Sequence, residues 1–261
     1  MDKDKTTADL IREKCAHLAL GFGLSALPVE IMSKKEFSDK FQPSANFYSD
    51  NANWCHVSTG QIIFDAEKVD IDGKDFDRSF CHELHHADFA AQPKYMALAM
   101  DQVDEYSQEI LCLKLLSEVY VERKVAEKLP ADPLHGWDKI IEAIKEHGID
   151  YIIAFNFEGH RDRIHPSSRE EWWNVITMIM FMLVNLISFE YGKTGSLDKH
   201  FKLTIFHPSD PLIRKVQEFF QWFENFVIPQ NPEALLDEQI TKKVIEKINE
   251  VDEAISAYAA A

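Results

Sequence analysis

Apolar positions divide the chain into a short N-terminal part with strand-like segments and a longer part with helical spacing. Residues 6–20 have apolar side chains near helical spacing and predict a helix. Alternation predicts a strand over Leu27–Met32, and the short apolar run of Gln61–Asp65 predicts a second, with His56-Val57 leading into it. The composition of Phe41–Trp54, which is rich in Asn, predicts a loop. We therefore expect a small sheet near the N-terminus.

After Asp70 the spacing of apolar residues predicts helices almost throughout. Prolines and capping residues set their ends, and the segment Tyr151–Phe157 fits a helix and a strand equally well. The chain has no internal repeat and no Ser/Gly linker, so we expect one domain over residues 1–261. The predicted helices cover about 74–91, 103–128, 138–147 and 172–191, and two more begin at Pro211 and at Asn231-Pro232.

One predicted helix is uncharged from Trp172 to Phe189. Its length, about 18 residues, reaches the lower limit for a membrane span. Polar residues such as Asn174 and Asn185 interrupt the run, and no cluster of Lys or Arg flanks it. A helix that is apolar all round and buried by its neighbours has the same composition. We expect a buried helix and no membrane association, and keep a membrane-embedded protein as an alternative.

Composition and charge narrow the classes of function. Lys and Arg number 28, Asp and Glu 44, and the net charge is −16, which repels phosphate backbones and anionic lipids. We therefore expect no nucleic-acid partner. The four cysteines lie far apart without a CxxC pair, as is typical of reduced thiols in a cytosolic protein. No signal peptide is apparent, so a cytoplasmic location is expected.

The segment Ser79–Ala87 contains a His-Glu-x-x-His motif at His82, Glu83 and His86. Helical residues four apart share a face, so the two imidazoles can bind one metal ion. Glu83 lies off that face and can take a proton from a zinc-bound water as it attacks a carbonyl carbon. Chance alone gives on the order of 0.04 such motifs in this chain. His85 is rotated by about 100° from His86 and is expected outside the ligand set.

A catalytic zinc site usually has a third protein ligand and an open position. Glu118 and Glu122 lie four apart on the predicted helix downstream of the motif. We expect Glu118 to be the third ligand and Glu122 to accept an N–H from His82 or His86. Two alternatives stay open at this point, namely Glu122 as the ligand and a solvent-exposed acidic stripe that binds no metal.

The order of these motifs resembles the gluzincin branch of zinc metallopeptidases, in which Glu-x-x-x-(Asp or Glu)-Arg follows the His-Glu-x-x-His helix. The run from Glu118 to Arg123 matches, with Glu122 in place of the more usual Asp. The resemblance implies that Glu118 is the third zinc ligand and that Glu122 is an outer partner of the site. It also implies a zincin-like fold, mainly α (α+β), with a small N-terminal sheet packed on a metal-binding helix that a helical bundle follows.

A further segment, Phe206–Arg214, is similar to the His-Pro-x-x…Arg segment of prenyl-protease-like and Lit-type phage-exclusion metallopeptidases. In those families the His and the Arg lie beside the metal. The resemblance implies that His207 stabilises the developing oxyanion and that Arg214 binds a substrate carbonyl or a site carboxylate. Ordinary helix capping by Ser209 or Asp210 explains the same residues without a role in catalysis.

The function expected from these motifs is that of a zinc metallopeptidase that cleaves a peptide or protein substrate by Glu83-assisted attack of a zinc-bound water. An extended substrate is expected to add to the edge of the strand Gln61–Asp65, as substrates do in zincins. A non-catalytic zinc-binding regulatory or interaction protein that retains the site is the alternative from another class. An intact Glu83 argues against that alternative, because a purely structural zinc site does not need this acid.

Overall fold

The computed structural model describes residues 6–40, 55–58, 61–95, 107–130, 138–203 and 210–260. Within these ranges the chain is mainly helical and has one small sheet near the N-terminus, which confirms the coarse prediction. The predicted loop Phe41–Trp54 lies outside the described residues.

Most predicted elements are confirmed to within a few residues, and the ambiguous segment Tyr151–Phe157 is helical. A short helix after the first strand was not predicted. The strands are β1 (Val29–Met32), β2 (Cys55–Ser58) and β3 (Gln61–Asp65). The helices are α1 (Thr7–Phe22), α2 (Lys34–Lys40), α3 (Lys74–Ala90), α4 (Gln108–Lys128), α5 (Asp138–His147), α6 (Ile149–Ile164), α7 (Arg169–Thr194), α8 (Pro211–Phe226) and α9 (Glu238–Ala259).

The sheet has the order β1-β3-β2, with β1 parallel and β2 antiparallel to β3. The pair His56-Val57 therefore belongs to a separate strand and does not extend β3. Because β3 is paired on both sides, it has no free edge, and the prediction that a substrate adds to Gln61–Asp65 is wrong. Alternating polarity marks a strand but does not specify which strand is central.

The sheet packs on α3 and sets the rotation of that helix. Ile62 and Phe64 of β3 share a core cluster with Phe76, Phe80 and Leu84 of α3, and the Phe64 and Phe76 rings stack at 5.7 Å. The three α3 residues lie four apart and form one face. His82 and His86 come two residues after Phe80 and Leu84, which places them about 200° around the helix from that face. The sheet therefore turns the other side of α3, which carries the His-Glu-x-x-His histidines, toward α4.

Helix α7 runs through the larger core cluster, with buried side chains packed among those of α4, α6, α8 and α9. Ser168 and Glu171 form a capping box at its start. Among the described helices, α7 alone is long and apolar enough to cross a membrane by length and composition. Its neighbours bury 56% of the apolar window, which supports the interpretation of α7 as a core helix.

Helices α7 and α4 approach each other closely at Gly192. A Cβ at this position would lie 2.8 Å from the Cβ of Ala126 and 2.9 Å from the Cα of Arg123. Because a backbone atom is in the way, Gly192→Ala should lower the free energy of unfolding by about 1–3 kcal/mol, measured by urea denaturation. Gly159 of α6, where a Cβ would meet nothing within 4 Å, is the matched control, and Gly159→Ala should stabilise by about 0.5–1 kcal/mol. Equal effects of the two substitutions would contradict this account of the packing.

The predicted start of the last helix is wrong. Asn231 caps a single 3-10 turn, Pro232–Ala234, and α9 begins only after Asp237, whose side chain accepts a hydrogen bond from the backbone N–H of Gln239. Asn-Pro is compatible with a 3-10 turn as well as with an α-helix, and a second capping residue, Asp237, follows five positions after Pro232. The Asn-Pro signal therefore marks the start of the 3-10 turn and not the start of α9.

Candidate metal centre

Two packed helices bring three side chains together. His82 and His86 of α3 and Glu118 of α4 each offer a ligand atom, and these atoms lie within 4.8 Å of one another. The Nε2 atoms of the two histidines are 3.0 Å apart. The Glu118 carboxylate lies 3.4 Å from the Nε2 of His86 and 3.8 Å from the Nε2 of His82. The three residues that the sequence predicts as ligands therefore converge.

The spacing of these atoms fits a single metal ion. In a tetrahedral site with metal–ligand bonds near 2.0–2.1 Å, neighbouring ligand atoms are about 3.3 Å apart. The 3.0 Å between the two Nε2 atoms and the 3.4 Å between Oε1 of Glu118 and the Nε2 of His86 lie on either side of that value. The Oε2 atom of Glu118 is buried and has no hydrogen-bond partner among the described residues, which is unfavourable unless a cation is present. Two imidazoles and a carboxylate form a donor set suited to zinc and to other first-row transition metals.

Each imidazole is held in place through its second ring nitrogen. The Nδ1 of His82 lies 3.0 Å from Oε1 of Glu122, and the Nδ1 of His86 lies 2.8 Å from the Oγ of Ser117. These contacts leave both Nε2 atoms facing Glu118. Outer partners of this kind fix the orientation of ligating imidazoles.

Burial decides between the interpretations of the two glutamates. Glu122 is fully buried, and only 17% of the Glu118 side chain is exposed. The alternative of a solvent-exposed acidic stripe is therefore wrong for these two residues. Glu122 contacts the Nδ1 of His82, on the far side of the ring from the ligand group, which is the arrangement implied by the gluzincin resemblance.

The charges around the centre favour ionised carboxylates. Burial raises the pKa of Glu122, but the charge of Arg78 and the hydrogen bond with His82 outweigh it and lower this pKa below its usual value. Burial also raises the pKa of Glu118, and the neighbouring imidazoles bring it below its usual value. Burial lowers the pKa of His82, whereas the hydrogen bond to Glu122 and the charges of Glu118 and Glu83 raise it overall to about 9. The centre therefore has the negative potential that attracts a cation.

The remaining residues of the motif lie off the ligand face. Glu83 is half-buried, and its carboxylate is near enough to raise the pKa of His82. His85 is buried beside the ring of Tyr120, with 6.3 Å between ring centroids. Burial lowers the pKa of His85 to about 4, so this imidazole is neutral at physiological pH. His85 lies outside the group that could bind a metal, as its rotation around the helix predicts.

Comparisons of this chain with protein-family models, with curated proteins and with solved structures each find no match. The resemblance to gluzincins is thus a prediction that depends on the motifs. The function has to be argued from the side chains of the centre.

Sequence reasoning missed three residues of the centre. Ser117 directly precedes Glu118, and Arg78 lies one turn before His82 on α3. Asn185 of α7 lies within hydrogen-bonding reach of Glu118. Arg78 could have been found from its position one turn before a predicted ligand. Asn185 could have been singled out as a polar residue within an apolar helix. No local signal connects Asn185 to Glu118, because the two residues meet only through the packing of α7 on α4.

The structure does not bring the third predicted segment to the centre within the described residues. His207 and Ser209 lie outside them. Arg214, with 60% of its side chain exposed, pairs with Glu218 one turn further along α8 at 3.4 Å. Asp210 caps α8 by accepting from the backbone N–H groups of Leu212 and Ile213, so the capping interpretation of this segment is confirmed for that residue.

The arginine that ends the Glu-x-x-x-Glu-Arg pattern has structural contacts. Arg123 donates to the backbone carbonyls of Ile228 and Gln230 in the turn after α8. Its guanidinium also lies 5.1 Å from the ring centroid of Tyr191 on α7. Arg123 therefore ties α4 to two neighbouring parts of the fold.

Proposed function

We propose that this chain is a zinc-dependent metallopeptidase of zincin type that hydrolyses peptide bonds in a peptide or protein substrate. The observation that carries the proposal is the convergence of His82, His86 and Glu118, with Glu83 next in the helix to the first ligand. Two imidazoles four apart, an acid beside the first and a carboxylate from a second helix are the parts that such a hydrolase requires.

Each residue has a distinct role in the proposed reaction. Zinc held by His82, His86 and Glu118 would polarise the substrate carbonyl and lower the pKa of a bound water. Glu83 accepts the proton from the attacking water and returns it to the leaving amine. Glu83 itself lies outside the group of side chains that would hold the ion.

The outer contacts support the same function. An imidazole binds a metal through one nitrogen only, and the contacts of Glu122 and Ser117 occupy Nδ1 on both rings. The nitrogen left for the ion is Nε2 in each case. A site that only stores or senses zinc also needs oriented ligands, but it has no use for Glu83 as a proton acceptor.

We place the proposed enzyme in the cytoplasm. The described cysteines Cys15, Cys81 and Cys112 are buried free thiols, as is usual in a reducing compartment. Burial raises the pKa of each thiol to about 12, so none is a thiolate competing for the metal. The packing of α7 inside the core supports the absence of a membrane anchor at this helix.

Metal removal tests the proposal on the full chain. We expect purified protein to contain one equivalent of zinc by elemental analysis and to cleave fluorescein-labelled casein or a degenerate library of quenched peptides. Dialysis against a chelator should abolish cleavage, and stoichiometric zinc should restore it, because the attacking water depends on the ion. A chain without stoichiometric metal would contradict the site. Stoichiometric zinc without cleavage of either substrate would instead favour the non-catalytic zinc-binding protein.

A further inference from the structure

An arginine is buried one turn before the first histidine of the motif. The side chain of Arg78 is 2% exposed, and its Nη2 donates to Oε2 of Glu122 at 2.6 Å. Glu122 is itself fully buried. The same carboxylate contacts the Nδ1 of His82 through its other oxygen at 3.0 Å. Arg78, Glu122 and His82 thus form a continuous chain of contacts that ends at a proposed metal ligand.

The donors and acceptors in this chain fix the state of the histidine. An arginine side chain is always charged and has only donors, and it keeps the facing carboxylate ionised. An ionised carboxylate can only accept, so the hydrogen between Glu122 and His82 belongs to the imidazole Nδ1. In the neutral imidazole, the form that binds a metal, the Nε2 of His82 then carries the lone pair, and this nitrogen faces His86 and Glu118. This is the tautomer that a metal requires.

The surroundings of Arg78 do not explain it as a stabilising residue. Its guanidinium lies 4.4 Å from the ring centroid of Phe189 on α7, and its Nε and Nη1 have no hydrogen-bond partner among the described residues. A buried ion pair with unpaired donors is often less stable than apolar side chains of similar volume. Such a costly arrangement is expected where it serves a site.

We propose that Arg78 is a positioning residue of the metal centre, which acts through Glu122 to hold His82 with its Nε2 toward the ion. The inference rests on the proposed function only in that these side chains bind zinc. It predicts that the contributions of Arg78 and Glu122 to zinc affinity are coupled, because both act through the same nitrogen of His82.

A double-mutant cycle tests the coupling. Zinc affinity is measured by competition with a chromophoric chelator for wild type, Arg78→Met, Glu122→Gln and the double variant. Each single substitution should weaken zinc binding by about 10- to 100-fold. The double variant should bind about as weakly as one single variant and not with the product of both losses. The visible spectrum of bound cobalt, which reports ligand geometry, should change in the three variants.

Two further variants separate positioning from general damage to the fold. Arg169→Met is the control, because Arg169 also makes an ion pair, its Nη2 lying 2.6 and 2.7 Å from the two carboxylate oxygens of Asp252, and also lies near an aromatic ring, 5.7 Å from the centroid of Trp173, although 38% of its side chain is exposed. It should lower the melting temperature without changing zinc affinity. Arg78→Lys keeps the charge and should bind zinc more tightly than Arg78→Met. If Arg78→Met does not fold, Arg78→Lys takes its place in the cycle.

The outcomes distinguish this inference from the proposed function. Wild-type zinc affinity in a folded Arg78→Met chain, or losses that multiply in the double variant, would overturn the role of Arg78 alone. If the wild-type chain binds no zinc, the proposed metal centre is wrong, and the role of Arg78 in that centre is wrong with it. Coupled losses, an altered cobalt spectrum and an unaffected Arg169→Met chain together establish the positioning role.

Discussion

Replacing Glu83 with glutamine should abolish hydrolysis while the zinc content stays at the wild-type level. The amide has the same shape as the carboxylate but cannot accept the proton of the attacking water, and a general base contributes about 10²- to 10⁴-fold to a rate. Glu83 lies outside the group of side chains that could bind the ion, so metal affinity should not depend on it. Cleavage of labelled casein and elemental analysis of the same preparation measure the two quantities.

The control for this substitution is an exposed glutamate. Glu127 lies on the surface of α4, and its nearest charged partner, Lys124, is 3.9 Å away. Glu127→Gln removes the same charge from the same pair of packed helices and should leave both cleavage and zinc content unchanged. Retained cleavage by the Glu83→Gln chain would rule out the proposed proton transfer, whatever its zinc content.

The second large effect is expected for Glu118. Glu118→Ala removes one of three proposed ligands and should lose stoichiometric zinc on gel filtration. Glu122→Gln removes only the charge of an outer partner and should weaken binding by about 10- to 100-fold. The order of the two effects follows from the contacts, since the Glu118 carboxylate faces both Nε2 atoms and the Glu122 carboxylate faces a single Nδ1.

Circular dichroism of the metal-free chains provides the control for Glu118→Ala. The neighbouring imidazoles lower the pKa of Glu118 below its usual value, so the metal-free fold already stabilises the ionised carboxylate, and its removal costs some stability. The metal-free variant should therefore keep the helical spectrum of the metal-free wild type and melt at a somewhat lower temperature. If zinc survives Glu118→Ala and is lost in Glu122→Gln, the assignment of the two glutamates is wrong.

Local sequence signals account for most of the helical fold. Capping residues place the start of α7 at Ser167 or Ser168 and that of α8 at Ser209 or Asp210 with Pro211, because such signals act within one turn of the chain, and the structure selects Ser168 and Asp210. The order of the strands does not follow from the sequence, since the residues of a short strand do not specify which strands pair with it. The start of α9 was misplaced because two caps compete within one short segment.

The candidate site likewise combines residues that local sequence patterns identify with residues that only the packing of the helices brings together. His82 and His86 follow from the period of a single helix, whereas the next long helix offers both Glu118 and Glu122 on one face and does not decide between them. The contacts of Asn185 and Phe189 depend on how α7 lies against α3 and α4, which no spacing specifies. Arg78 was within one turn of the motif, but its burial and its pairing with Glu122 appear only in the packed structure.

The placement of the ligands on two helices has a consequence for the lifetime of the protein. His86 and Glu118 are separated by about 30 residues, so bringing them together in the unfolded chain costs loop-closure entropy, and the full ligand set forms only in the native fold. Such an ion binds the native chain in preference to the unfolded one and shifts the equilibrium toward the native chain. Without the ion a larger fraction of the polypeptide would be unfolded and open to proteolysis, so the abundance of the protein would follow the supply of the ion.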